Sequence, residues 1–403
     1  MPAAESVLIV TVYQFVLVMS LVPLASLAGH LGLRRVFRVG MVVYACATSL
    51  CLVATSMEIL LVLRVFQAIG SALALSVTAA LIRNVYPAKL LGSGLALNSL
   101  TVSLSMAMAP VVGGLLIEFA GWASVFAVAA PFAVIGLLLS GSLPDHTRET
   151  EDFDWQSAGV YAGLIALLFA SLEGSLWAAS HWWMRLISLA LAIVLGTWLV
   201  RRANRATQPL LPIDLLRRPL IAFSMCGALC AFASSMAVMV VLPFRLDSLY
   251  GFDPIEIGLA MSAWPIATMF AAPAAGVMSD RLPAWAIGTA GLLGAVLSMA
   301  LLAAAPADAR LVDIAWRLGL LGVCYPAYTA SNMRLVVANS PHARAASAGS
   351  IMSTTRILGQ SLGAVIAAWI IAGNWVGEVQ GLLVPAVLAS CGLVFSFVRR
   401  NAS

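Results

Sequence analysis

About thirteen apolar runs, each of roughly twenty residues, follow one another along this chain with short charged interruptions. They cover approximately 6–28, 36–56, 59–83, 91–117, 122–142, 156–176, 183–200, 219–244, 255–278, 284–305, 314–337, 346–373 and 379–398. At about 1.5 Å per residue, such a run crosses the ~30 Å hydrocarbon core of a bilayer as a helix. Of 403 residues only 10% are charged, against about 25% in a soluble domain, too few to wet a globule. Alternating ten-residue strands with aromatic girdles, the mark of a membrane barrel, do not occur. The expected fold class is an all-α polytopic membrane protein.

The net charge of +5 would suggest nucleic acid in a soluble protein, but here it has a simpler source. Arginines collect in alternate loops: Arg34, Arg35 and Arg38; Arg83 with Lys89; Arg148; Arg201, Arg202, Arg205, Arg217 and Arg218; Arg281; Arg334 with Arg344; and Arg399 with Arg400. The intervening loops hold Glu58, Glu118, Asp247, Asp253 and Glu378. The positive-inside rule puts the arginine loops and the C-terminus in the cytoplasm, in a multi-pass bacterial membrane protein. The run SLWAASHWWM then forms an aromatic belt on the other side. The first span would start outside, so one more span is expected before it; MPAAES is no secretory n-region. All six cysteines fall in apolar runs and read as small buried hydrophobes. His30, His146, His181 and His342 lie in turns and pair with nothing. No metal, cofactor, nucleotide loop or hydrolase elbow is expected, and the enzyme reading has no support.

An internal repeat argues for two halves. AGHLGLRR is followed by Arg64 in LRVFQAIGSA, and MSDRLPAW by Arg317 in WRLGLLGVCY, at similar offsets. The expected organisation is one bundle over 1–143, a linker with two extra transmembrane helices over 144–218, and a second bundle over 219–403.

Polar residues inside spans are functional candidates, because lipid makes them expensive. Arg64 lies about 9 Å into its span, with Gln67, Ser71 and Thr78 extending its face. Arg356 falls near the midplane with Ser353, Gln360 and Gly363. The competing readings are an arginine snorkelling to the interface for the first and a buried partner for the second. Asn98, Thr101, Ser105 and Ala109 line one face of the fourth run, leading to Pro110, which can kink the helix. Ser105, Ala109 and Gly113 recur every four residues and would let a neighbour approach closely. Tyr13, Gln14, Trp264, Tyr325, Tyr328 and Asn332 suit either a substrate cavity or packing. Every Asp and Glu falls in a loop or near a span end, with Glu173 the closest to membrane depth.

In order and spacing, these pieces resemble the fourteen-span drug:proton antiporter family of the major facilitator superfamily. Residues 25–34 are similar to the family loop G-x-L-A-D-R-x-G-R-R/K, with Gly32, Arg34 and Arg35 in place and Gly29 where the acid stands. Arg64, Gln67 and Gly70 match its fourth-span motif. Ser105 through Gly114 resembles the antiporter motif G-x-x-x-G-P-x-x-G-G, keeping Pro110, Gly113 and Gly114. FDW at 153–155, LPFRLDSLYGFDP at 242–254, TTRILGQSLGA at 354–364 and the pair Asp280–Arg281 also look like this family. The resemblance implies two six-helix bundles with two linker helices, and a monomer without cofactor. It also implies alternating access that exports amphipathic, cationic drugs in exchange for protons. Arg34, Arg35, Asp280, Arg281 and the Pro110 helix would serve gating. The family's first span, with its embedded Asp, has no counterpart in the sequence. Two alternatives therefore stand: an exporter of an anionic or neutral metabolite, which Arg64 and Arg356 favour, and a non-transporting membrane protein.

Overall fold

Apolar runs become helices because a backbone in lipid must satisfy its own hydrogen bonds. The computed structural model describes residues 3–54, 56–87, 91–143, 153–172, 182–204, 213–306, 308–340 and 345–399. Glu173, Lys89, Arg148, Arg344, most of the aromatic run and the side chain of Asp280 lie outside the described residues. The helices are α1 (Ala3–Leu31), α2 (Leu33–Leu50), α3 (Met57–Val85), α4 (Leu91–Ala120), α5 (Trp122–Ala127), α6 (Ala130–Leu139), α7 (Trp155–Leu172) and α8 (Trp182–Ala203). They continue with α9 (Ile213–Leu216), α10 (Pro219–Tyr250), α11 (Pro254–Arg281), α12 (Ala284–Ala303), α13 (Leu311–Ala338), α14 (Ala345–Ala372) and α15 (Gln380–Val398). Among the described residues 11 stretches are long and apolar enough to cross a membrane. The other two span positions are α4, with an apolar stretch over Leu104–Ala120, and α13, which carries Asp313, Arg317 and Arg334. The fifth apolar run is one candidate span, Trp122–Ser142, in which a two-residue turn at 128–129 separates α5 from α6. The linker adds the single turn α9.

Contacts group the chain into two units. The first comprises Leu8–Asn98 and Trp122–Ile213; the second comprises Met1–Val7, Ser99–Gly121 and Asp214–Ser403. Water drives no helices together inside lipid, so small residues that admit close backbone contact decide the packing. In the first unit α2 packs along α3 and α7 along α8. The α2–α3 seam is Gly40 against Gly70: a Cβ added to either would lie 2.9 Å from the other's carbonyl oxygen. In the second unit α11 packs on α13, α10 on α14 and α15, and α12 on α13 and α15. Val238, Leu242, Leu246, Leu318 and Leu321 are buried at its centre. Trp264, Tyr328 and Asn332, which suit a cavity wall or packing, are buried in this bundle (6%, 1% and 1% exposed).

Candidate functional site

Arg64 organises the polar interior of the first unit. It sits half-buried on α3, two turns after the helix start, where the Ser56 hydroxyl caps Ile59 N at 3.3 Å. Its Nε donates to the Ile9 carbonyl at 3.3 Å and its Nη1 to Gln67 Oε1 at 2.5 Å. Gln67, 2% exposed, passes the chain on, donating to Thr48 Oγ1 on α2 at 2.8 Å. The guanidinium lies 4.7 Å from the Tyr13 ring centre and 5.1 Å from that of Phe126. The Tyr13 hydroxyl donates to Ser71 Oγ at 2.8 Å. Thus Gln67 meets Arg64 on the shared face that the sequence suggested and Tyr13 joins them from α1, while Gln14 lies half-buried on α1. The sequence did not reveal Phe126 or Thr48, which approach from helices with no periodic tie to α3. No carboxylate among the described residues bonds to this arginine, so neutral amides, carbonyls and ring faces hold its charge.

The α1–α2 turn is made by Gly32, whose φ of +94° suits only a residue without Cβ; Gly29 stays inside α1. Arg34 reaches across to the Gly141 carbonyl at 2.6 Å, tying the start of α2 to the turn after α6, whereas Arg35 and Arg38 are exposed. His30 is not unpartnered: its Nδ1 is 3.1 Å from the Ser26 carbonyl, and its ring meets Phe153 edge-on at 5.7 Å. Phe153 belongs to the FDW segment, where Asp154 also works. Asp154 accepts from Ser157 N (3.0 Å) and Oγ (2.6 Å), and pairs with Arg202 Nη2 at 3.0 Å. Partial burial opposes its ionisation, yet the hydrogen bonds from Arg202 and Ser157 hold its carboxyl at about 2.

On α4, Asn98, Thr101 and Ser105 are exposed and Pro110 sits within a continuous helix. The close approach runs one residue beyond the expected small-residue stripe. Gly113 faces open space, whereas a Cβ on Gly114 would stand 2.4 Å from the Pro254 carbonyl oxygen. The contact is reciprocal, since a Cβ on Gly258 would stand 2.4 Å from the Pro110 carbonyl oxygen. Both helices carry the same Pro-x-x-x-Gly spelling, 110–114 and 254–258. The α11 copy follows a tight entry: Gly251 adopts φ +65°, and Asp253 and Glu256 exchange capping hydrogen bonds at 2.7 and 3.1 Å.

In the second unit Arg356 is exposed on α14, within electrostatic reach of the Tyr325 hydroxyl, with Gln360 half-buried one turn on. Tyr325 is set edge-on to Trp264 and Phe232, each at 6.0 Å, and donates to Ser235 Oγ at 3.3 Å. Gly363 leaves this face and packs on α10, where its Cβ would lie 2.2 Å from the Ala233 carbonyl oxygen. Arg281 is exposed. Two arginines that the sequence did not single out for the interior are buried, Arg245 and Arg399, each 2% exposed. Arg245 donates to the carbonyls of Val376 (3.1 Å), Glu378 (2.6 Å) and Ala303 (3.5 Å). Its position was a signal: an arginine on the acidic side of the membrane runs against the charge pattern. Arg399, counted from sequence among the cytoplasmic-loop arginines, is buried in the bundle.

The sequence matches the model of the Major Facilitator Superfamily over residues 1–213 and 223–403. The chain belongs to that superfamily. It is 34% identical to the uncharacterized transporter YebQ of Escherichia coli, over 96% of this chain and 86% of that protein. It is 26% identical to the riboflavin transporter RibZ of Clostridioides difficile, covering 88% and 77% respectively. It is 24% identical to the methyl viologen resistance protein SmvA of Salmonella typhimurium, covering 90% and 74%. This superfamily member is thus a multi-span membrane transporter with drug-efflux relatives.

Proposed function

We propose that this transporter exports amphipathic aromatic compounds across a bacterial cytoplasmic membrane by alternating access, with a preference for neutral or anionic cargo. One observation carries the charge preference: Arg64 lies over the rings of Tyr13 and Phe126 with neutral hydrogen-bond partners and no carboxylate among the described residues. Rings offer stacking surface to a planar molecule, and an arginine without a counter-charge favours acceptor groups over a second cation. Arg356, within electrostatic reach of the Tyr325 hydroxyl, gives the second unit a similar arginine and aromatic pair. In this reading Tyr13, Gln14, Arg64, Gln67, Asn98, Thr101, Arg356 and Gln360 contact cargo. The glycines and prolines of α4 and α11, with Arg34, Arg35, Asp280 and Arg281, govern the change of state. The chain works as a monomer with its C-terminus in the cytoplasm, and 144–218 links the bundles of 1–143 and 219–403.

The second reading, exchange of cationic drugs for protons, is favoured by the similarity to a methyl viologen resistance protein. The two separate in one assay. Proteoliposomes with an imposed pH gradient are loaded with a neutral or anionic fluorophore (riboflavin or fluorescein) or with ethidium, with wild-type protein or Arg64→Gln. The first reading expects riboflavin or fluorescein transport that falls at least ~10-fold in Arg64→Gln, with ethidium unmoved. Ethidium transport alone, driven by the gradient, establishes the second. Movement of none of the three overturns the transport of aromatic compounds altogether.

A further inference from the structure

The helix α13 cannot complete its own hydrogen bonds at Pro326. Proline has no N–H, and its ring keeps the carbonyl four residues before it, that of Gly322, out of the helical ladder. Within a membrane span such a freed carbonyl needs a donor from elsewhere. Thr268 on α11 supplies it, its Oγ1 donating to the Gly322 carbonyl at 3.1 Å. A helical threonine more often turns back on its own helix. Thr78 and Thr289 do so, donating to the Ala74 and Trp285 carbonyls at 2.8 and 2.7 Å. Thr268 reaches across because Gly322 lets the two backbones meet. A Cβ on Gly322 would overlap the Trp264 carbonyl oxygen and stand 2.8 Å from Ala267 Cβ.

This bond lies next to an aromatic pair. Trp264 stands one turn before Thr268 on α11, Tyr325 directly precedes Pro326 on α13, and their rings meet edge-on at 6.0 Å. Tyr325 also donates to Ser235 Oγ on α10 at 3.3 Å. Without the Thr268 hydroxyl, the Gly322 carbonyl would be left without a donor in an apolar seam, and that cost favours a shift of α13. We propose that Thr268 is a positioning residue for transport. Its hydroxyl fixes the path of α13 past Pro326 and so holds the Tyr325 ring against Trp264. That Tyr325 stands by the cargo rests on the proposed function; its placement by Thr268 does not.

The test uses the full chain labelled with 5-fluorotryptophan in detergent, the Trp264 fluorine resonance being the one lost in Trp264→Phe. Thr268→Val keeps the shape and removes the hydroxyl, and it is expected to shift that resonance by more than its linewidth. Thr268→Ser should leave it in place. Pro326→Ala returns an N–H to α13, so in that background Thr268→Val should no longer shift it. In proteoliposomes, with whichever of riboflavin, fluorescein or ethidium is carried, Thr268→Val should raise KM roughly 3- to 10-fold with Vmax little changed, and Thr268→Ser should not. An unmoved Trp264 resonance in Thr268→Val overturns the proposal. So does a shift that Thr268→Ser shares or that persists beside Pro326→Ala, because packing alone would produce either. A moved resonance with unchanged KM overturns the role in transport. Should Thr268→Val fail to fold, rescue by Pro326→Ala supports the proposal and no rescue refutes it. If none of the three compounds is carried, the proposed function fails, and the fluorine spectra alone decide whether Thr268 places Tyr325.

Discussion

The reciprocal contact between Gly114 and Gly258 makes a prediction that ordinary packing does not. Carbon and oxygen in a Cα–H···O contact sit about 3.3–3.6 Å apart. A methyl group on Gly114 or on Gly258 would stand 2.4 Å from a proline carbonyl oxygen, so either alanine forces the helices about 1 Å apart. The obstacle is backbone on both sides, Pro254 at the entry of α11 and Pro110 within α4, so no side-chain rotation relieves it. Overpacking of this kind costs about 1–3 kcal/mol, and the weak Cα–H···O attraction across the seam fades as the helices part. One opening of about 1 Å accommodates both methyl groups. Gly114→Ala with Gly258→Ala is therefore expected to cost little more than the worse single variant. The coupling energy in a double-mutant cycle should then be about 1–3 kcal/mol. Equilibrium unfolding of the four proteins in mixed detergent micelles measures it. Additivity within ~0.5 kcal/mol would refute the reasoning, because it would mean that the two glycines relieve separate clashes.

Two further outcomes follow from named contacts. The Asp154 carboxyl, held at about 2 in the folded chain, contributes stability fully above the ordinary carboxylate value near 4 and loses it as pH falls toward 2. Melting curves from pH 6 to 2.5 should thus show an acid-side loss that is reduced in Asp154→Asn; equal slopes would show that the Arg202 pair carries none of it. Arg245→Met leaves the carbonyls of Val376, Glu378 and Ala303 without their donor. It should destabilise the protein by about 2–4 kcal/mol and quicken proteolysis at 374–379, with an unchanged cleavage rate counting against the clamp.

Hydropathy located the helices well because their ends are set by bilayer thickness, which any apolar run reports. It gave no sign of the turn at 128–129 that separates α5 from α6 inside one apolar stretch, because that turn is itself apolar. Motif spacing found Arg64 and Gln67 together, one turn apart on α3. Their partners Phe126, Thr48 and the Ile9 carbonyl come from other helices, and no one-dimensional period links those to α3. Pro110–Gly114 was visible as a motif, but its counterpart Pro254–Gly258 only acquires meaning once the two helices touch. Charge counting put Arg399 in a cytoplasmic loop because it counts residues per loop and carries no information on which of them is buried.

The way Arg64 is held has an electrical consequence. Its partners among the described residues are neutral, so none of them cancels the positive charge on α3. A carrier that takes up a monoanion beside it is locally neutral when loaded and positive when empty. Membrane voltage, worth about 2.3 kcal/mol per elementary charge per 100 mV across the full field, would then act on the empty return step and leave the loaded step almost untouched.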